Sequence, residues 1–280
     1  MSRFRTLLST LSLFASASAY AAPDLQISDL LGNSIESVLP AGASFGFSGS
    51  IVSLEQLKKG ETRLVIAAIP DGQSLPEDMI CIPFAFDVVS VVVNNSNPLK
   101  EIHVAQLARI YSASSDSADK WGQVGLADAW KERRISACLP PQSEWVTMQI
   151  FDKNIMGGAA LREGVTIIPT RAVLEQTVRE QSQSIVIIRG VNIPDGGKTL
   201  AITRGSGADS YSYQPTESGI FFGDYFLRLP FYIVLRKDAS EETRALAAEL
   251  LSDNVAAALA KAGFVPAPKS ERAPELYLAK

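Results

Sequence analysis

The sequence predicts an α/β chain in two lobes, each built on a mixed βα sheet, with two crossover strands joining them. Three observations carry this. Short apolar strand segments alternate with segments of helical period along most of the chain. The apolar run over 80–94 is about twice the usual strand length and is interrupted by Pro83 and Asp87. A second run of the same character covers 224–236 and contains Pro230. A strand that long is expected to leave one sheet and enter another, which places hinges near 84–88 and 226–230.

The chain opens as a secretory signal peptide. Arg3 and Arg5 precede an apolar stretch from Leu7 to Phe14, and small residues then lead to Ala19 and Ala21, the pair that suits a cut near Ala21. The stretch is too short for a permanent anchor. No Cys follows it to take a lipid, so a soluble, exported chain is expected.

Residues 24–27 read as a strand. Ser28 and Asp29 then cap a predicted helix with Leu30, Leu31, Ile35, Val38 and Leu39 on its apolar face. A strand over 44–47 turns at Ser48-Gly49-Ser50 into a helix that closes on Lys58, Lys59 and Gly60, cations and then glycine at its carboxyl end. Residues 63–69 are nearly all apolar, as in a strand covered on both faces of a parallel sheet. Beyond the first crossing, Asn97-Pro98 opens a predicted helix carrying Ile102, Leu107 and Ile110. A strand over 135–139 leads to a helix over 144–152. A strand over 165–168, a helix over 171–180 and a strand over 184–188 complete a second βαβ series. After a polar loop over 205–219 and the second crossing, one long amphipathic helix is predicted over 240–262, capped at Ser240 and ended by Gly263. Two βα sheets linked twice make a Venus-flytrap architecture, with one lobe from 22–86 and 227–280 and the other from 87–226.

Composition narrows the function. The formal charge of −4 becomes −6 once Arg3 and Arg5 are removed, a balance unsuited to nucleic acid or an anionic membrane surface. No Gly-x-Ser-x-Gly elbow, His-Glu-x-x-His pair or Walker glycine loop appears, and no Cys, His and acid cluster has metal-ligand spacing. His103, the one histidine, falls in a predicted helix on a structural surface. No enzyme, metal or cofactor is expected. Cys81 and Cys138 either pair in an oxidising compartment or sit apart as small buried hydrophobes, and the sequence leaves both open.

Several segments resemble the phosphate-binding-like family of periplasmic solute-binding proteins, a type II periplasmic-binding fold. The most specific is the run from Val91 through Asn97-Pro98 to Ser112, followed by Trp121-Gly122-Gln123-Val124-Gly125. Residues 223–233 are similar to the family's second crossover, and Ala262-Gly263-Phe264-Val265-Pro266 to its carboxyl-terminal ending. The resemblance implies a periplasmic, monomeric receptor that holds a small oxyanion or phosphate-bearing solute for a membrane ABC permease.

It also implies where the solute sits. Ser48, Gly49 and Ser50 stand where the family places a Gly-Ser pair at a helix start, whose free N–H groups and positive dipole end suit an anion. Ser28 and Asp29 replace its glycine-rich first loop, and Ser143 lies at its second helix start. Arg228, beside the second hinge, has the charge for a phosphate or carboxylate. Each has a simpler role as a cap, an ion pair or a surface group. The family's cleft Asp has no counterpart in 65–70, Asp71 lying just beyond, and its Arg and Ser-Gly-Thr give way to Leu139-Pro140-Pro141-Gln142-Ser143-Glu144-Trp145. A second reading follows: a degenerate member of the fold, serving as an envelope interaction or sensory module.

Overall fold

A computed structural model describes residues 23–40, 42–207 and 210–278. The expected signal peptide lies outside the described residues.

Strand β1 (Leu25–Ser28) pairs in parallel with β2 (Phe45–Ser48) on one side. Helix α1 (Ser50–Lys59) follows and ends on Gly60, whose left-handed φ of 75° suits glycine. It returns the chain to β3 (Leu64–Ala68), parallel to β1 on its other side. The predicted helix after Ser28 does not form. Residues 29–31 and 36–38 make two short 3₁₀ turns instead, separated by Gly32 at φ 52°. Leu31 and Ile35 are still buried, so the apolar spacing was satisfied by turns rather than by a helix.

Strand β4 (Met79–Asn94) is one unbroken strand of 16 residues. Next come β5 (Glu101–His103) and helix α2 (Val104–Tyr111), which starts later than Asn97-Pro98 suggested. The Asn97 side chain instead accepts from the Leu99 N–H in a local turn. His103 caps α2, its Nδ1 accepting from the Ala105 N–H and its Nε2 lying 2.9 Å from the Gly205 carbonyl, so it is a structural residue. Strand β6 (Ser136–Leu139), helix α3 (Trp145–Phe151), strand β7 (Thr166–Ile167), helix α4 (Arg171–Glu180) and strand β8 (Ser184–Arg189) form the second parallel set, β7 and β8 flanking β6. The α3 turn widens into a π-helical segment over Asp152–Met156.

Strand β9 (Gly197–Thr199) adds to β4. Strand β10 (Ala201–Arg204) precedes the polar loop, which contributes β11 (Tyr211–Tyr213) and the start of helix α5 (Glu217–Phe222), and β5, β10 and β11 make a small separate sheet. Strand β12 (Arg228–Arg236) follows. The predicted long carboxyl-terminal helix is two helices, α6 (Glu241–Leu250) and α7 (Asp253–Lys261). Ser252 makes the break, its hydroxyl accepting from the Val255 N–H as a fresh amino-terminal cap. The short strand β13 (Val265–Pro266) closes on β4.

The first part of β4, Met79 to Val88, pairs with β12, while Val89 to Val93 pair with β8. The hydrogen-bonded path is β2-β1-β3-β12-β4-β8-β6-β7, and β4 alone belongs to both ends. Pro83 lacks an N–H, and opposite it the register slips between Phe231 and Tyr232 as a bulge. β12 itself stays with β3 and β4 throughout, so the second passage between halves is made by residues 223–227. There the Tyr225 hydroxyl donates to the Val89 carbonyl at 2.7 Å, and the Val89 N–H donates to the Leu227 carbonyl at 2.9 Å.

Each half has its own core. One gathers Leu25, Ile66, Phe84, Phe231 and Leu250. The other gathers Val91, Tyr111, Trp121, Phe151 and Tyr225. Leu229 packs against both. The two cysteines are free: Cys81 is on the β4 segment of the first half and Cys138 on β6 of the second.

Candidate functional site

A cleft of about 450 Å³ opens between the two halves. One wall carries Asp29, Leu30, the start of α1 from Gly49 to Val52, and Ala68, Pro70, Asp71 and Gln73. The other is the face of α3 and its π turn, with Val146, Gln149, Ile150, Lys153 and Asn154, and the floor is Phe226, Arg228 and Leu229.

The α1 end is built from small hydroxylated residues because they can brace it without filling it. The Ser50 hydroxyl accepts from the Ala68 N–H at 2.9 Å and donates to the Ser28 hydroxyl at 3.2 Å, tying the helix start to β1 and β3. Ser48 and Ser53 share a 2.6 Å bond beneath it. Gly49 precedes the helix with no side-chain cap, and a methyl group added to it would meet nothing within 4 Å. The first-turn N–H groups of α1 therefore face the cleft with their dipole end open.

Arg228 is differently placed. Its side chain is only 8% exposed, and its fork is filled. Nε and Nη2 grip the Asp71 carboxylate at 2.8 and 2.7 Å, while Nη1 donates to the carbonyls of Ile220 and Phe221. Asp71, which the sequence places just past the expected carboxylate, is thus in the cleft as the partner of this arginine. Asp29 lies in the lining with no side-chain partner among the described residues, and so does Lys153 on the opposite wall.

Of the residues singled out in the sequence, the structure brings Asp29, Gly49, Ser50 and Arg228 to the cleft lining. Ser28 is fully buried beneath it and Ser48 braces α1; neither lines it. Ser143 is exposed in the 3₁₀ turn Gln142–Glu144, outside the lining, and does not cap α3. The second wall is the side of a helix rather than its amino end. Val146, Gln149, Ile150 and Lys153 recur at helical spacing, but only the apposition of the halves tells which solvent-facing stripe is the cleft.

Behind α3 lies a buried charge cluster at the crossing. Arg189 holds both oxygens of Asp87 at 2.9 and 3.1 Å and stacks on Phe264. Burial nevertheless pushes the Asp87 carboxyl up, the charge of Arg189 opposing it. Glu144 has a buried oxygen without a hydrogen-bond partner; desolvation pushes its carboxyl up as well, against the pull of Arg171 and Arg189. Among the described residues no group of three His, Cys, Asp or Glu gathers to hold a metal, and no helix is long and apolar enough to cross a membrane.

Two halves, each with its own core, linked twice and parted by a lined cleft define the two-lobed fold of periplasmic binding proteins. The chain belongs to the PBP superfamily, whose domain description matches residues 41–254. It is similar to the phosphate-binding protein PstS of Pseudomonas aeruginosa, 24% identical over 197 residues that cover 67% of this chain and 60% of that one. It is also similar to protein SphX of Synechococcus elongatus, 25% identical over 194 residues, 67% and 56% of the two chains. The matched region thus spans about 60% of the length of these curated relatives. Among solved structures, a possible phosphate-binding protein from Planctomyces limnophilus superposes with a TM-score of 0.66 at 20% identity, covering 89% of this chain and 93% of that one. An ABC-type phosphate transport receptor from Vibrio cholerae gives 0.59 at 20%, covering 86% and 99%. These likenesses show the fold.

Proposed function

We propose that the chain is an exported, periplasmic solute-binding protein that closes its lobes over a small oxyanion or phosphate-bearing solute and delivers it to an ABC permease. One observation carries the reading: the uncapped amino end of α1, with Gly49 and Ser50, opens into the cleft between the lobes. Amides fixed there stabilise negative charge without a cation. Gly49 and Ser50 are the proposed anion contacts, Asp29 beside them has an acceptor for a hydroxyl of the solute, and Ser28 and Ser48 hold the helix start in place. The lobes are taken as 22–86 with 227–280, and 87–226. Closure turns on the β4 crossing and the 223–227 passage, driven by contacts that exist only when both walls touch the solute. The protein works as a monomer and without catalysis. Its relatives, a phosphate-binding protein and a phosphate transport receptor, support the solute class.

Arg228 favours a second reading. Its donors are spent on Asp71 and two carbonyls, and Asp29 sets an unpaired carboxylate in the cleft. Both suit a member of the fold that has given up anion capture for an interaction or sensory role in the envelope. Calorimetric titration with phosphate, sulfate, molybdate and sugar phosphates separates the two. Micromolar or tighter binding of any one supports the receptor, and no binding by a folded chain supports the module.

A further inference from the structure

We infer that the solute of this cleft carries an apolar body beside its acidic group, as an alkyl or aryl phosphate monoester does, and that inorganic phosphate is a poor ligand. The inference rests on the receptor reading above and names its substrate class.

The first ground is the wall chemistry. Ile51 and Val52 stand in the first turn of α1, 81% and 55% exposed, at positions where a polar side chain would be solvated at no cost. Both line the cleft, and from the opposite wall Val146 and Ile150 face the same space, with Phe226 and Leu229 beneath. Ile51 and Val52 are therefore held open to water at the α1 amino end, facing partly buried Val146 and Leu229 and the largely buried Ile150 and Phe226. Closing the lobes over a bare, strongly hydrated anion would desolvate the ion and leave those groups without a matching surface. An apolar body joined to the anion covers them.

The second ground is charge. Among the described residues Arg228 is the one cation on the floor, and Asp71 neutralises it. The unpaired charges among the described lining residues are Lys153 on one wall and Asp29 on the other, which oppose each other in sign. The fixed charge of the lining is close to zero. Beyond the α1 amides such a site has little with which to hold a small dianion, so the affinity that separates one phosphate compound from another has to come from apolar contact. The third ground is size. A cleft of about 450 Å³ falls within the roughly 300–1,000 Å³ of pockets that enclose drug-sized ligands.

The test is calorimetry on the signal-cleaved chain with inorganic, methyl, butyl and hexyl phosphate, repeated on the double variant Ile51→Ser, Val52→Ser. Both positions are exposed, so the variant folds, which circular dichroism checks. The inference predicts that affinity climbs from methyl to hexyl phosphate by roughly fourfold for each methylene that becomes buried. It predicts that the double variant flattens this climb, so that hexyl phosphate loses most of its advantage over methyl phosphate. Inorganic phosphate binding as tightly as hexyl phosphate would overturn the inference and leave the receptor reading intact. A folded chain that binds neither, nor sulfate, molybdate or a sugar phosphate, would overturn the receptor reading and the inference with it.

Discussion

Replacing Asp71 by Asn is expected to move stability and phosphate affinity in opposite directions. In the native cleft the Asp71 carboxylate takes two donors of Arg228 in a bidentate pair at 2.8 and 2.7 Å. The arginine is nearly buried, whereas Asp71 is 46% exposed. Charge-assisted bonds of this kind contribute about 1.5–3 kcal/mol each way of counting, and the exposure of Asp71 discounts the pair to about 1–2 kcal/mol. Asp71→Asn removes the charge and keeps the shape; its one remaining acceptor can hold only one of Nε and Nη2, so the other is released to face an oxyanion. A charge-assisted bond from the released donor, with the competing carboxylate charge gone, then returns about 1.4–2.8 kcal/mol, a gain of roughly 10- to 100-fold in affinity. Urea unfolding reads the first quantity and calorimetric titration with phosphate the second. Adding Arg228→Met to the variant should abolish the gain. If the folded Asp71→Asn protein binds phosphate no better than the parent, or if the gain survives loss of the arginine, then Asp71 is not what blanks this cation.

Ser50→Ala should cost about 1 kcal/mol in urea unfolding, because the Ala68 N–H loses the hydroxyl that accepts from it. For Glu144 the folded carboxyl is raised by burial. Its stabilising protonation is therefore complete below the unfolded value and is lost as pH rises through the folded one. Glu144→Gln should match the parent at acid pH and exceed it in stability near neutrality; parallel midpoint curves from acid to neutral pH would refute this. The Cys81 thiol is pushed up to about 11 by burial and by Asp78. Native protein at pH 8 should therefore be alkylated at Cys81 on the order of a hundredfold more slowly than a free cysteine, and the unreduced, denatured chain should titrate both thiols. Finding none in the denatured chain would mean that the two are paired.

The local parts of the fold were legible because their signals are local. Cations and Gly60 mark the end of α1, and α4 starts and stops at the expected Arg171 and Glu180. The length of the 80–94 run exceeded what one sheet accommodates, and β4 does pass from β12 to β8. The errors share a non-local cause. Ile102 has helical spacing with Leu107 and Ile110, but it is claimed by Ile202 across the small sheet, so the helix waits for His103. Ser252 sits at a helix-compatible position and caps instead. At the site, the α1 amino end was readable from Gly49 and Ser50. The pairing of Asp71 with Arg228 joins residues that are distant along the chain, and the Lys153 face becomes a wall only once the lobes oppose each other.

The central claim is that two lobes close over a solute held at the α1 amino end. Small-angle X-ray scattering on the monodisperse protein, with and without whichever phosphate compound calorimetry finds to bind, tests it most directly. The account predicts a smaller radius of gyration in the bound state, and loss of that change at the same solute concentration when Ser50→Pro, at a first helical position that proline fits, removes one of the N–H groups facing the cleft along with the Ser50 hydroxyl. A solute bound at full stoichiometry with an unaltered scattering curve would contradict it.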